Sequence, residues 1–284
     1  VKATHADGSL RHAVLTAIVP SLAGQSVAPL TLAAAPSGAA TPIAASALLA
    51  TPFDAVATLT VGGVVYRASA REMLQADSSH TWLSGPLVTE WHLVAPFRTI
   101  GGQAHPHLTA RFNIRAYQGL SRVRVDLTVE NNWAFAPAPQ PFTYDVNVTV
   151  GGSSVYSRAA LKHYSLSRWR KVFWWGTEPA VEIRYDRDAL IASRAVPAYD
   201  LGVVVNESDL AALWTEWTTQ ADTGPMGAGL VEPYMPMTGG RRDIGPLPGW
   251  AAQYLISMDH RARVATLGVG DLAGSWPIHY RDQN

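Results

Sequence analysis

The stretch Leu108-Thr109-Ala110-Arg111-Phe112-Asn113-Ile114-Arg115-Ala116-Tyr117, with its continuation Arg122-Val123-Arg124-Val125-Asp126-Leu127-Thr128-Val129-Glu130, decides the fold. Apolar and polar residues alternate in both halves, which is the period of a half-buried β-strand and not of a helix. A long antiparallel hairpin follows, with one face on a core and the other toward water. The outer face carries Arg111, Arg115, Arg122 and Arg124 around Asn113 and Asp126, so a guanidinium-rich surface on a rigid scaffold is expected.

The same patterning extends in both directions. Val56 to Ala70 reads as strands hinged at Gly62-Gly63, and Val88 to Phe97 as another carrying Trp91 and His92. Tyr144, Val146, Val148 and Val150 alternate with polar residues before Gly151-Gly152 turns the chain back into Val155 to Trp175, read as one strand with a bulge; Val181 to Tyr185 follows. Upstream, Lys2 to His5 and Arg11 to Val19 flank Ala6-Asp7-Gly8-Ser9, where Asp-Gly suits a tight turn. Ser26 to Ala35 offers a further strand, and Ala39 to Ala50 a short helix or ordered loop. Downstream, Leu210, Leu213, Trp214 and Trp217 fall on one helical face behind Ser208 as N-cap. Trp250, Tyr254, Leu255 and Met258 mark a second helix, and Asp259 caps a third running to about Leu272.

The expected fold is mainly β. A small N-terminal β-barrel-like unit occupies residues 1–52, a large antiparallel β-sandwich or supersandwich residues 53–205, and a short helical segment, beginning an incomplete α/α domain, residues 206–284. Val1 is not a start methionine and Tyr280 to Asn284 ends without a cap, so a portion of a longer protein is expected, with a trimmed complete domain as the alternative.

Composition narrows the function. Lys plus Arg equals Asp plus Glu at 22 each, so the excess positive charge of a nucleic-acid binder is missing. Ten Trp and ten Tyr suit ligands with apolar faces and polar edges, sugars included, or fill a core. With no cysteine, disulfides and thiolate metal sites are excluded. No apolar run approaches the roughly 20 residues of a membrane span.

The densest run of functional side chains is Lys162-His163-Tyr164-Ser165-Leu166-Ser167-Arg168-Trp169-Arg170-Lys171-Val172-Phe173-Trp174-Trp175. Arg168, Arg170 or Lys171 would pair with the carboxylates of a uronic-acid polymer, while Trp169, Trp174 or Trp175 would stack on sugar faces. For β-elimination, His163 and Tyr164 are the nearest base candidates and Arg168 the carboxylate partner. Arg111 and Arg115 would add ligand contacts from the hairpin. The other reading is a strand with core tryptophans and solvated basic residues. His105 and His107 flank Pro106 at a spacing able to chelate a metal, but no third ligand accompanies them, so neither metal nor cofactor is expected. Phosphate loops, nucleophile elbows and His-Glu-x-x-His helices are all missing, and no acid pair is identifiable as a glycosidase couple.

Asp7-Gly8-Ser9-Leu10-Arg11-His12, the apolar strand Ala13 to Val19 and the Ser21 to Gln25 turn resemble the amino-terminal β-barrel of large bacterial proteins related to rhamnogalacturonan-degrading exo-enzymes. Those proteins continue into a β-supersandwich and an α/α toroid. Gly274-Ser275-Trp276-Pro277-Ile278-His279-Tyr280-Arg281-Asp282 is similar to a segment of large proteins encoded by phages and prophages of Gram-negative bacteria, as is Asp7 to His12. The resemblance implies the fold order above, while no motif carries over a catalytic residue. The expected function is an extracellular or virion-associated module engaging surface or acidic polysaccharide, as part of a phage tail or receptor-binding protein. The alternatives are the non-catalytic portion of a polysaccharide lyase or glycoside hydrolase, and a structural virion component whose partners are other virion proteins.

Overall fold

The computed structural model describes residues 2–19, 26, 40–180, 182–233 and 240–282. The chain is mainly β, 35% strand against 22% helix, so the sheet sets the architecture. A small hairpin, β1 (Ala3–Thr4) and β2 (Leu10–His12), comes first, turning at Asp7-Gly8 as the sequence predicts. The predicted strand over Ser26 to Ala35 and the turn over Ser21 to Gln25 fall outside the described residues apart from Ser26. Helix α1 (Ala45–Leu49) lies within the alanine-rich stretch.

The main sheet is built from β3 (Ala55–Val61), β4 (Val64–Ser69), β5 (Thr81–Leu83), β6 (Val88–Arg98), β7 (Ala104–Tyr117), β8 (Val123–Asn131), β9 (Phe142–Val150), β10 (Ser153–His163) and β11 (Ser167–Trp175). Its order is β10-β9-β3-β4-β6-β7-β8-β11, with β5 added beside β6. Strands β10 and β11 stand at opposite ends of that order, yet only Tyr164-Ser165-Leu166 separates them in the chain. A three-residue link spans at most about 10 Å. The sheet therefore curls until its two edges meet, giving a nearly closed eight-stranded antiparallel barrel-like sheet.

The alternation at residues 108–130 places its apolar set where it predicts. Leu108, Ala110, Phe112, Ile114, Ala116, Val123, Val125, Leu127 and Val129 are all fully buried, and each large one contributes about 1.5–3 kcal/mol through burial. They pack with Ala57 and Leu59 of β3, Val146 and Val148 of β9, and Trp169 and Phe173 of β11. The β3–β4 turn needs positive φ at both central residues, and Gly62 (+56°) and Gly63 (+81°) supply it.

Five sequence expectations change. The strand expected over Arg11 to Val19 ends at His12, and residues 13–19 continue without strand pairing. Val155 to Trp175 is two strands instead of one bulged strand, because Leu166 adopts φ +58° and the Leu166 N–H donates to Asn131 O, sending β11 back along β8. Residues 182–185 are not a strand; the next element is α3 (Arg187–Ala192), capped by Asp186. Ser69 ends β4 and caps α2 (Ala70–Ala76) by accepting from the Glu72 N–H, so the strand predicted to run to Ala70 gives way to a helix at the Ser-x-x-Glu pattern. Helix α4 (Glu207–Thr219) begins after Asn206, two residues before the predicted Ser208 cap.

Helices α5 (Gly249–Ser257) and α6 (His260–Leu272) follow, the latter capped by Asp259 as predicted. With α4 they enclose a second core of Leu210, Leu213, Trp250, Tyr254, Ala262 and Ala265. This helical unit is fastened to β11. A Cβ at Gly274 would lie 2.6 Å from Arg168 Cγ and 2.7 Å from its carbonyl oxygen, so only glycine allows this approach. Among the described residues no helix is long and apolar enough to cross a membrane.

Candidate functional site

The outer face of β6, β7, β8 and β11 carries three of the predicted arginines, Arg111, Arg115 and Arg124, in register, while Arg122 precedes β8. Glu90, Arg115, Arg124 and Trp174 form one row, His92, Asn113, Asp126 and Val172 the next, and Val94, Arg111, Thr128 and Arg170 a third. Buried acids answer most of the guanidinium groups. Arg115 Nε donates to Glu90 at 2.5 Å. Arg170 holds Asp126 through two nitrogens at 2.8 and 2.5 Å and also pairs with Asp271 of α6, while Arg124 approaches Asp126 at 3.4 Å. Burial lifts the Asp271 carboxyl above its ordinary range, against the opposing pull of Arg170. Glu130 accepts from Arg111 Nε at 3.3 Å and from Arg281 at 2.9 Å.

The run from Lys162 to Trp175 does not converge on one surface. His163 is fully buried, donating from Nε2 to Ser167 O at 3.1 Å and accepting at Nδ1 from the Tyr144 hydroxyl at 2.9 Å. Trp169, also buried, donates to that hydroxyl at 2.7 Å. Burial pushes the His163 imidazole down to about 4, so the ring stays neutral inside a satisfied polar chain. Tyr164 is exposed on the β10–β11 link with the Lys162 ammonium 5.1 Å from its ring. Arg168 projects from the outer face against Gly274, Trp174 stacks on Tyr117 at 5.9 Å, and Trp175 meets the edge of Phe53 on the core side. His163 and Arg168 thus lie on opposite faces of the sheet, Tyr164 stands exposed on the link, and His163 and Trp169 serve the core.

His105 and His107 are buried against Phe142, and His105 Nδ1 accepts the N–H groups of His107 and Leu108 at 3.1 and 3.0 Å. Burial lowers His105 to about 4 and moves His107 in the same direction. Among the described residues no group of three His, Cys, Asp or Glu side chains could hold a metal ion.

One part of the outer face stays open. Beside β5 lies a cleft of about 630 Å³ lined by Asp77, His80, Trp82, His92, Val94 and Arg111, with the end of α2 as its other wall. Trp82 stacks on His92, centroids 5.4 Å apart and planes 12° from parallel. His92 Nε2 bonds Glu90 at 3.1 Å, and the buried Glu90 is fixed in turn by Arg115. Strand β5 places Trp82 there: the His92 N–H donates to His80 O at 2.8 Å, and Thr81 pairs with Trp91. A second cleft of about 430 Å³ shares Trp82 with the first and is lined also by Lys2, Val14, Thr16 and the Leu83–Val88 segment. There the Lys2 ammonium sits 4.0 Å from the Trp82 ring centroid.

Of the residues predicted from sequence, only Arg111 lines this site. Glu90 and His92 were legible as the polar phase of β6, opposite Trp91 and Leu93. Trp82 was not, because a three-residue strand is too short to show a period. Comparison with protein-family models, with curated proteins and with solved structures finds no match to this chain.

Proposed function

We propose that the chain is an extracellular or virion-associated β-rich module that engages surface glycans through the paired clefts at Trp82, as part of a phage tail or receptor-binding protein. The observation that carries this reading is that two neighbouring clefts share one exposed aromatic residue, Trp82, with cationic and hydrogen-bonding groups in each. An extended polymer needs such a track: apolar ring contact for its C–H faces and fixed polar groups for its hydroxyls. The likeness of Asp7 to His12 and Gly274 to Asp282 to segments of large phage and bacterial proteins supports the placement outside the cell.

Affinity electrophoresis against a panel of soluble polysaccharides tests the reading. Trp82→Ala is expected to weaken retardation strongly at a small cost in unfolding temperature, since Trp82 is 45% exposed. Retardation unaffected by this substitution would refute the site.

A second reading has one specific support. His92, oriented by Glu90, lines the cleft as a general base would, in keeping with a fragment of a polysaccharide lyase or hydrolase. Release of unsaturated or reducing ends from a bound polymer, lost in His92→Gln with binding retained, would select this reading over simple binding.

A further inference from the structure

We infer that the Trp82 clefts take a polyanionic glycan, one bearing carboxylates or sulfate esters, with Arg111 and Lys2 as its two anchoring cations. The inference rests on the glycan-binding reading and specifies the class of ligand. Its basis is a local charge imbalance. Glu90 is matched by Arg115, and Asp126 with Asp271 by Arg124 and Arg170. Glu130 is different: one buried carboxylate serves two guanidinium groups, Arg111 and Arg281.

Arg111 uses only Nε for that contact, and among the described residues nothing bonds its two terminal amines. Those amines form the planar fork that grips an oxyanion with two parallel hydrogen bonds. Arg111 lines the first cleft, so the fork is offered to a ligand there. The acid lining the same cleft, Asp77, is already engaged by the Ser79 N–H at 2.8 Å and by His80 Nε2 at 3.3 Å. In the second cleft Lys2 lies over Trp82, and no Asp or Glu is among the lining residues.

Lys2, Trp82, His92 and Arg111 thus line the two clefts, with Asp77 the single acid among the lining residues. A neutral polymer would leave the terminal amines of Arg111 and the Lys2 ammonium without an anionic partner. A polymer with a negative group on successive sugars supplies one on each side of Trp82, and the low dielectric of a partly enclosed groove strengthens each pair over its value in open water.

The experiment measures binding of the chain to alginate, carboxyl-reduced alginate, dextran sulfate and dextran by affinity electrophoresis at low and high salt. An anionic polymer is expected to bind at least about tenfold more tightly than its neutral counterpart, as one charge-assisted bidentate contact implies. Alginate and dextran sulfate separate the carboxylate from the sulfate source. Arg111→Gln is expected to remove most of that preference, and Trp82→Ala to weaken charged and neutral polymers alike. Because Arg111→Gln also leaves Glu130 with a single partner, Lys2→Gln, at a half-buried position whose side chain makes no ion pair among the described residues, provides the second test and is expected to lower the preference several-fold. Equal binding of charged and neutral polymers, or a preference unchanged in both variants, overturns the inference while leaving glycan binding intact. Failure of every polymer to bind overturns both.

Discussion

Replacing His163 with Gln tests whether the buried Tyr144–His163–Trp169 chain makes the fold acid-sensitive. In the folded protein burial pushes His163 from its ordinary 6.5 to about 4. The unfolded chain takes up a proton near pH 6.5, whereas the folded one resists until about pH 4. Stability is therefore fully present above about pH 6.5, falls as the pH drops through that window, and levels off once both states are protonated. Between about pH 7.5 and about pH 5 the loss from this one ring is about 2 kcal/mol. His105, lowered to a similar value, contributes a comparable slope in wild type and variant alike, so it cancels in the comparison. Urea unfolding followed by circular dichroism at the two pH values is the assay. His163→Gln is expected to be about 1–2 kcal/mol less stable near neutrality, yet to lose about 2 kcal/mol less than wild type on acidification. Equal acid losses in the two proteins would refute the assignment of His163 as a neutral core residue.

Arg170→Ala removes both hydrogen bonds to buried Asp126 and the tie to Asp271, leaving Asp126 with Arg124 alone; the expected cost is about 3 kcal/mol. Hydrogen exchange should show α6 losing protection beyond the global loss, and uniform loss would argue against a fastening role. Gly274→Ala puts a methyl group within 2.7 Å of the Arg168 carbonyl and is expected to cost about 1–3 kcal/mol in thermal unfolding. An unchanged unfolding temperature would mean that the helical unit is not seated on β11 as described.

The core was legible because period two has a single solution on a half-buried sheet. Once Phe112 and Ile114 face inward, Arg111 and Arg115 must face outward, and no tertiary information is needed. Strand ends were harder. Ser69 carries a helix cap within a stretch that still reads as β, and the turn at Leu166 depends on a positive φ at a residue that gives no compositional warning. The alternation within Ser167–Trp175 was visible in the sequence, yet its aromatic richness on both phases concealed which phase was core. The register against β8 settles it, setting Trp169 opposite buried Val129 and Phe173 opposite buried Val125.

The candidate site shows a different limit. Counting arginines on one strand face says how much positive charge is present, but recognition depends on what remains after pairing. The acids that pair with them come from β6, from within β8 and from Asp271, over a hundred residues away along the chain in the case of Arg170. Arg115 and Arg124 are structural by that accounting, although the sequence offers them on the same terms as Arg111. What distinguishes Arg111 is that it and Arg281 converge on the single carboxylate of Glu130, whereas Arg124 and Arg170 meet two acids, Asp126 and Asp271, and that β5 leaves a cleft above it. Both conditions arise from long-range packing, and each alone is insufficient: an open cleft beside a fully paired guanidinium would bind anions weakly, and an unpaired guanidinium under α6 would meet none. Their coincidence beside Trp82 is the reason for placing ligand recognition there and not on the basic face as a whole.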